Sequence, residues 1–306
     1  MRKETSSPYI INSISELHRL LGLPKPGHPC VSVINLADVT CHFDETLKSV
    51  VYNFYSICIK KDFTGKLRYG QNYYDFDEGV MTFFSPGQVI STVTPDGMAL
   101  TGCWLVIHPD FIQNYPLAKS IKEHGFFSYA VNEALFLSDK EEATINSIMQ
   151  TIEQEYRSVI DNYSQDVIVS HIDVLLNYAN RYYNRQFITR KNASHDLLTN
   201  LEVLLSDYFD NEQVREQGLP TVQYLSEKLH ISPTYLSDML RKLTGQSAQQ
   251  HIHNKLIDKA KEILSTTSLS VSEIAYQLGF EYPQSFNKLF KSKTHVSPLE
   301  FRQSFN

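Results

Sequence analysis

Two stretches near the end of the chain, PTYLSDMLRKL from Pro233 to Leu243 and PQSFNKLFKS from Pro283 to Ser292, carry side chains suited to a polyanion. At helical spacing, Leu236, Leu240 and Leu243 fall on one face of the first, leaving Thr234, Ser237, Asp238, Arg241 and Lys242 on the other. In the second, Phe286, Leu289 and Phe290 turn inward and leave Gln284, Ser285, Asn287, Lys288 and Lys291 outside. Short hydrogen-bonding groups come first along each helix and cations follow. Hydroxyls, amides and carboxylates there can read base edges while cations neutralise phosphates, which is the layout of a helix laid in a DNA major groove. Either face alone would read as ordinary solvated surface; the pair in tandem favours nucleic acid.

The elements that must position these faces form an internal repeat of about 50 residues. Thr221 to Ser247 aligns with Ser270 to Ser297: Val222 with Val271, Leu225 with Ile274, Leu229 with Leu278 and then, after one extra residue, Pro233 with Pro283, Leu236 with Phe286, Leu240 with Phe290 and Thr244 with Thr294. Each copy reads as a short helix, a tight turn and a second helix opening on proline, where a missing N–H costs nothing. Ser232 is suited to cap the second helix of the first copy and Gly245 to end it. A plain helical hairpin without a ligand would share the apolar spacing, so the outward faces decide for a helix-turn-helix. Between the copies, Ser247 to Leu264 places Ile252, Leu256, Ala260 and Ile263 on one stripe, predicting a strut of roughly 27 Å. Such a strut could set the two reading helices about one DNA turn, roughly 34 Å, apart.

The rest of the chain has a different character. Ser13 and Glu16 predict a capped helix of about two turns ending at Gly22. From Val31 to Ile112, short runs rich in Val, Ile, Tyr and Phe separated by turn residues predict a compact antiparallel sandwich or barrel. Tyr52, Phe54, Tyr69, Tyr73, Phe83 and Trp104 could line its interior, although aromatic residues at strand spacing more often form core. From Ser138 the period becomes helical. One helix carries Ile145, Ile148, Met149, Ile152, Tyr156 and Val159, and a second carries Val167, Ile168, Ile172, Leu175, Leu176, Ala179 and Tyr183. This hairpin can pad its own barrel or form a dimer seam. Phe187 to Asp196 reads as a polar interdomain linker.

Charge follows the same division. The 306 residues carry a formal net charge of -6, yet from Thr221 onward 10 cations face 7 acids, a balance of +3 that leaves -9 for the remainder. An anion-binding surface therefore belongs to the C-terminal part. The four cysteines lie in the first third without CxxC pairing, as expected for free thiols in a reducing compartment. The N-terminus lacks a secretory pattern, and the most apolar later run is interrupted by His171 and Asp173, so a cytoplasmic protein with no membrane partner is expected.

Catalysis finds little footing. In the N-terminal part His28, His42 and His108 are far apart, whereas metal ligation needs several donors converging. His251 and His253 are two apart on a helix and point roughly 200° apart. Phosphate-loop and nucleophile-elbow patterns do not occur. The expectation is no catalytic residue, no metal and no cofactor.

On these residues the segment from Leu197 to Asn306 resembles the DNA-binding domain of the AraC/XylS family of transcription regulators. The likeness is carried by Ile274-Ala275, Leu278 to Phe280, Phe286 to Lys288, Phe290-Lys291, Ser297-Pro298 and Glu300 to Arg302. Less specifically, Tyr74 to Gly79, Phe83 to Gln88 and Ile107 to Ile112 resemble the cupin-like barrel that many of these regulators use for effectors.

The resemblance implies an α+β multidomain chain. Residues 1–137 would form an antiparallel β-barrel for effector binding, 138–189 a helical hairpin for dimerisation or interdomain packing, and 195–306 an all-α domain of seven helices. It places Thr234, Ser237, Asp238, Gln284, Ser285 and Lys288 at bases, and Arg241, Lys242, Asn287 and Lys291 at phosphates. Double-stranded DNA is the implied partner, with a small-molecule effector of unknown identity, RNA polymerase and a second copy of the chain as further ones. Three positions depart from the family pattern: Asp238, where a basic or amide residue is common; Tyr282, in place of an Asp or Ser cap; and His295, in place of Gly. The other readings are a metal-dependent cupin-type enzyme with an appended helical domain, and a ligand-sensing adaptor whose helices contact protein.

Overall fold

The β-branched runs after Cys30 become strands whose partners are set by which faces bury. In a computed structural model of the protein, the residues described are 8–40, 49–61, 67–69, 72–74, 79–91, 101–130, 133–159, 161–189, 191–210, 214 and 217–304. They divide into two units, Met1–Gln186 and Phe187–Asn306.

In the first unit the strands are β1 (Tyr9–Ile11), β2 (Val31–Asn35), β3 (Ser49–Tyr52), β4 (Tyr55–Lys61), β5 (Leu67–Tyr69), β6 (Asn72–Tyr74), β7 (Gly79–Phe84), β8 (Val89–Ser91), β9 (Thr101–Ile107) and β10 (Leu135–Leu137). Helix α1 (Ile14–Leu20) starts at Ser13, whose hydroxyl accepts from the Glu16 amide. The sheets have the orders β1-β3-β8, β10-β7-β4-β9-β2 and β5-β6. Among the described residues these are separate sheets and not the closed antiparallel barrel expected. One pair, β1 with β3, is parallel; α1 and β2 lie between them in the chain and provide the crossover a parallel pair needs.

The predicted pocket aromatics are core. Tyr52, Phe54 and Trp104 pack with Ile11, Ile14, Leu17 and Val106, and the Trp104 indole donates to Ser56 Oγ at 2.6 Å. Phe83 packs on Phe126 with ring centroids 4.5 Å apart, and Phe126 stacks on Tyr183. The side chains of Tyr69 and Tyr73 lie outside the described residues.

Helices α2 (Asp139–Arg157) and α3 (Ser164–Thr189) follow the sheets where helical periodicity predicts them. Ile145, Met149, Ile152, Ile172, Leu175, Leu176 and Ala179 are buried, so much of the apolar stripe is used inside the unit. Arg185 ties it down, bonding Glu141 at 2.6 Å and the Phe136 carbonyl at 2.7 Å. Val159, expected on α2, lies beyond its end and is exposed. Much of the stretch read as a linker is helical: α3 runs to Thr189 and α4 begins at Lys191. With no Pro or Gly from Phe187 to Asp196, polarity alone does not interrupt a helix.

The second unit contains α4 (Lys191–Asp210), α5 (Val222–Leu229), α6 (Pro233–Thr244), α7 (Ala248–Thr266), α8 (Val271–Gln277), α9 (Pro283–Thr294) and α10 (Pro298–Gln303). Ile252, Leu256, Ala260 and Ile263 of α7 are buried, as its stripe predicts. Lys259 of α7 reaches Asp210 of α4 at 2.8 Å. Gly279 sits at φ 80°, where a Cβ would lie 2.6 Å from the Val214 carbonyl oxygen, so the turn before α9 needs glycine for both conformation and space. Among the described residues no helix is long and apolar enough to cross a membrane.

Candidate nucleic-acid interface

Each half of the repeat starts its first helix on a capping hydroxyl and opens its second helix on proline. Thr221 Oγ1 accepts from the Tyr224 amide to start α5, and His230 ends it at φ 57°. Ser232 Oγ then accepts from the Tyr235 amide and Pro233 opens α6. In the second half, Ser270 and Glu273 form a reciprocal capping box at the start of α8, and Ser297 and Glu300 form another at α10. Both carboxyls are held below their ordinary range, Glu273 by the Ser270 hydroxyl and amide and Glu300 by the Ser297 amide and hydroxyl.

The repeat persists to single atoms. Thr244 Oγ1 donates to the Leu240 carbonyl and Thr294 Oγ1 to the Phe290 carbonyl, each at 2.8 Å. The residues after them, Gly245 at φ 73° and His295 at φ 65°, take the same left-handed turn. His295 thus occupies the glycine position in the glycine conformation. Tyr282 caps α9 with no side-chain bond; instead the Ser285 amide donates to the Tyr282 carbonyl at 3.0 Å.

The phenylalanines form a ring stack inside the unit. Centroids of Phe280 and Phe286, Phe286 and Phe290, and Phe290 and Phe301 are 5.5, 5.7 and 5.6 Å apart. Burying Phe286 and Phe290 presents the opposite face of α9, where Gln284, Ser285, Asn287, Lys288 and Lys291 are all exposed. Leu289 is half-buried.

On α6, Arg241 and Lys242 are exposed, whereas Thr234, Ser237 and Asp238 are half-buried. Leu243, expected inside, is 37% exposed, while Met239 is buried. Position 239 is three residues past Leu236, on the same stripe, whereas Leu243 falls in the last turn where the packing ends. Asp238 holds Arg241 at 3.2 Å, one helical turn away. The acid that would repel phosphate is therefore paired with a cation of its own helix.

Some lysines and arginines of the segment have structural roles. Arg302 Nε donates to the Leu264 carbonyl at 3.2 Å, meeting the last turn of α7, whose carbonyls lack intrahelical partners. A polar relay not visible from sequence spacing links the two halves: Asn254 of α7 donates to Gln246 Oε1 at 2.8 Å and accepts from Lys293 Nζ at 3.4 Å. His251 also joins α7 to α6. Since the Thr244 hydroxyl proton is given to Leu240, His251 Nε2 donates to Thr244 Oγ1, at 2.9 Å. Burial pushes the His251 pKa down, against the pull of Glu202.

Comparison with known proteins places this geometry. A helix-turn-helix domain family model matches residues 225–304. The chain is similar to the HTH-type transcriptional regulator YfiF of Bacillus subtilis, 31% identical over 149 residues, 49% of this chain and 44% of that one. It is similar to YisR of the same organism, 34% identical over 27% of this chain and 29% of the relative. The Msm operon regulatory protein of Streptococcus mutans is 32% identical over 27% of this chain and 30% of its own length. The matches thus span less than half of each of these relatives.

Among solved structures, the C-terminal domain of the response regulator yesN from Fusobacterium nucleatum is 36% identical, covering 34% of this chain and 98% of that one, with a TM-score of 0.29. An AraC-type regulator from Chromobacterium violaceum is 18% identical over 37% of this chain and 95% of that one, TM-score 0.32. With the matched span enclosing α6 to α10, and the motif residues from Ile274 to Arg302 inside it, the C-terminal region of this chain is a helix-turn-helix domain of the matched family.

Proposed function

We propose that the protein is a sequence-specific DNA-binding transcription regulator whose α6 and α9 enter two adjacent major grooves. The observation that carries this reading is the exposure of Gln284, Ser285, Asn287, Lys288 and Lys291 on one face of α9; in this proposal Gln284, Ser285 and Lys288 meet bases and Asn287 and Lys291 meet phosphates. On α6 the corresponding set is Thr234, Ser237 and Asp238 for bases and Arg241 and Lys242 for phosphates. The half-burial of that base set makes α9 the stronger reader. The matched domain is a DNA-binding module, so the chain is read as a regulator and not as an enzyme. The relatives named as transcriptional regulators support this.

The first unit serves in this proposal as the regulatory module of a cytoplasmic protein, with its sheets standing for an incomplete cupin-like barrel. A small-molecule effector, RNA polymerase and a second copy of the chain are its proposed further partners. Fluorescence anisotropy with DNA from upstream of its own operon tests the central claim. The expected result is tight binding that a scrambled duplex of equal length does not match. Gln284→Ala should cost about 1–3 kcal/mol and relax preference at one base pair. Equal weak binding to both duplexes would refute a specific regulator. Loss of a protein partner in Lys288→Ala, with DNA affinity unchanged, would favour the adaptor reading instead.

A further inference from the structure

Among the described residues the five-stranded sheet ends at β2, and its outer edge opens into a cleft of about 450 Å³ within the first unit. That volume lies in the range of small-ligand sites. The backbone at its floor is not neutral surface. The His108 amide bonds the Cys30 carbonyl at 2.8 Å, and the β2–β9 register pairs Ser32 with Val106 and Ile34 with Trp104. Hydrogen-bonded and non-bonded pairs alternate in an antiparallel ladder. Ser32 and Ile34 therefore spend their amides and carbonyls on β9, while the N–H and C=O of Val33 point out of the sheet, into the cleft.

The walls are held in place by a polar network. His18 Nδ1 lies 2.6 Å from the Pro24 carbonyl, which can only accept, so Nδ1 carries the proton. In the neutral ring Nε2 then accepts from the buried Ser32 hydroxyl at 2.9 Å. From the other side, Tyr156 near the end of α2 accepts the Gly27 amide at 2.6 Å. These bonds pin the loop from Pro24 to Gly27 beside β2, so the cleft exists before any ligand arrives. Leu23, Pro24 and Ile34 supply apolar wall, and charge is present in both signs: Lys25 and Arg157 against Asp38. Arg157 is already shared with Glu153 at 2.7 Å, which leaves Lys25 as the principal cation.

A strand edge with an outward donor and acceptor selects an amide, and flanking charges of both signs select a zwitterion. We propose that this cleft binds a short peptide with free termini, about three residues long, as an added strand on β2. Its main chain would pair with Val33, its ammonium group would face Asp38 and its carboxylate Lys25. The inference rests on the first unit alone and stands or falls independently of DNA binding.

Calorimetric titration of the full chain with trileucine, with its acetylated and amidated form and leucine as controls, provides the test. Trileucine should bind, the capped form about 10-fold or more weaker, and leucine not measurably. Lys25→Ala and Asp38→Asn should each weaken trileucine about 10-fold. Val33→Pro should abolish binding, since it removes the outward amide at an edge-strand position that tolerates proline, along with part of the buried valine side chain. If circular dichroism finds Val33→Pro misfolded, the two exposed charge variants decide alone. No binding of trileucine by the unaltered protein, equal binding of the capped form, or unchanged affinity in the charge variants would each overturn the proposal.

Discussion

Tyr282 sits where a helix start normally has an acceptor side chain. The residue is 61% exposed and its side chain makes no cap, so α9 begins on a tightened turn from the Ser285 amide to the Tyr282 carbonyl. Pro283 removes one more donor that would otherwise need a partner. Both features reduce what a side-chain cap would add, so Tyr282→Ser should gain stability near the low end of the usual range of about 0.5–2 kcal/mol. In thermal denaturation this corresponds to a rise of about 1–2 °C. A lower midpoint would mean that the tyrosine contributes packing its exposure does not suggest. At Asp238 the pairing with Arg241 reverses a simple electrostatic reading: the carboxylate restrains a cation in the free protein, and in the proposed complex DNA would compete for that cation.

In the proposed reading, helix α7 is the element that couples the two reading helices. Its 19 residues span about 28 Å, and Asn254, near its middle, bonds to Gln246 after α6 and to Lys293 in α9. Asn254→Ala should leave the fold intact, since the site is at the surface of the strut, but loosen the spacing between readers. Affinity for a two-groove site should then fall several-fold, with less penalty for inserting one base pair between the half-sites, measured by gel shift on the paired duplexes. Equal spacing penalties in variant and parent would show that burial along α7 alone sets the geometry. This relay joins residues 8 and 39 positions apart, and no periodic pattern announces such a contact. The helices themselves were legible, because a repeat of apolar positions at 3.6-residue spacing with serine and proline at the starts has one reading. Leu243 was misplaced because the last turn of a helix buries only if something covers it. Strand partners were the least legible part. Alternation specifies a face, but closure depends on which edges meet, and among the described residues β2 ends the sheet with its edge open.

The whole molecule is an acidic chain with a helix-turn-helix domain at its basic end, and that combination constrains how the proposed DNA binding responds to salt. A net charge of -6 opposes approach to a polyanion at long range. Exposed charges separated by more than the Debye length, about 8 Å at physiological ionic strength, are largely screened, so binding is decided by cations that touch phosphate. Arg302 is committed to the α7 carbonyl and Lys259 to Asp210 and Glu262, which removes them from that set. The proposed phosphate cations are Arg241, Lys242 and Lys291. Three neutralised phosphates give a slope of log affinity against log salt of about -3. Lys291→Ala should shift that slope by about one toward zero and weaken binding to all duplexes alike. Anisotropy titrations across a salt series read both quantities. An unchanged slope in the variant would place Lys291 away from the phosphates and turn the orientation of α9 on the duplex.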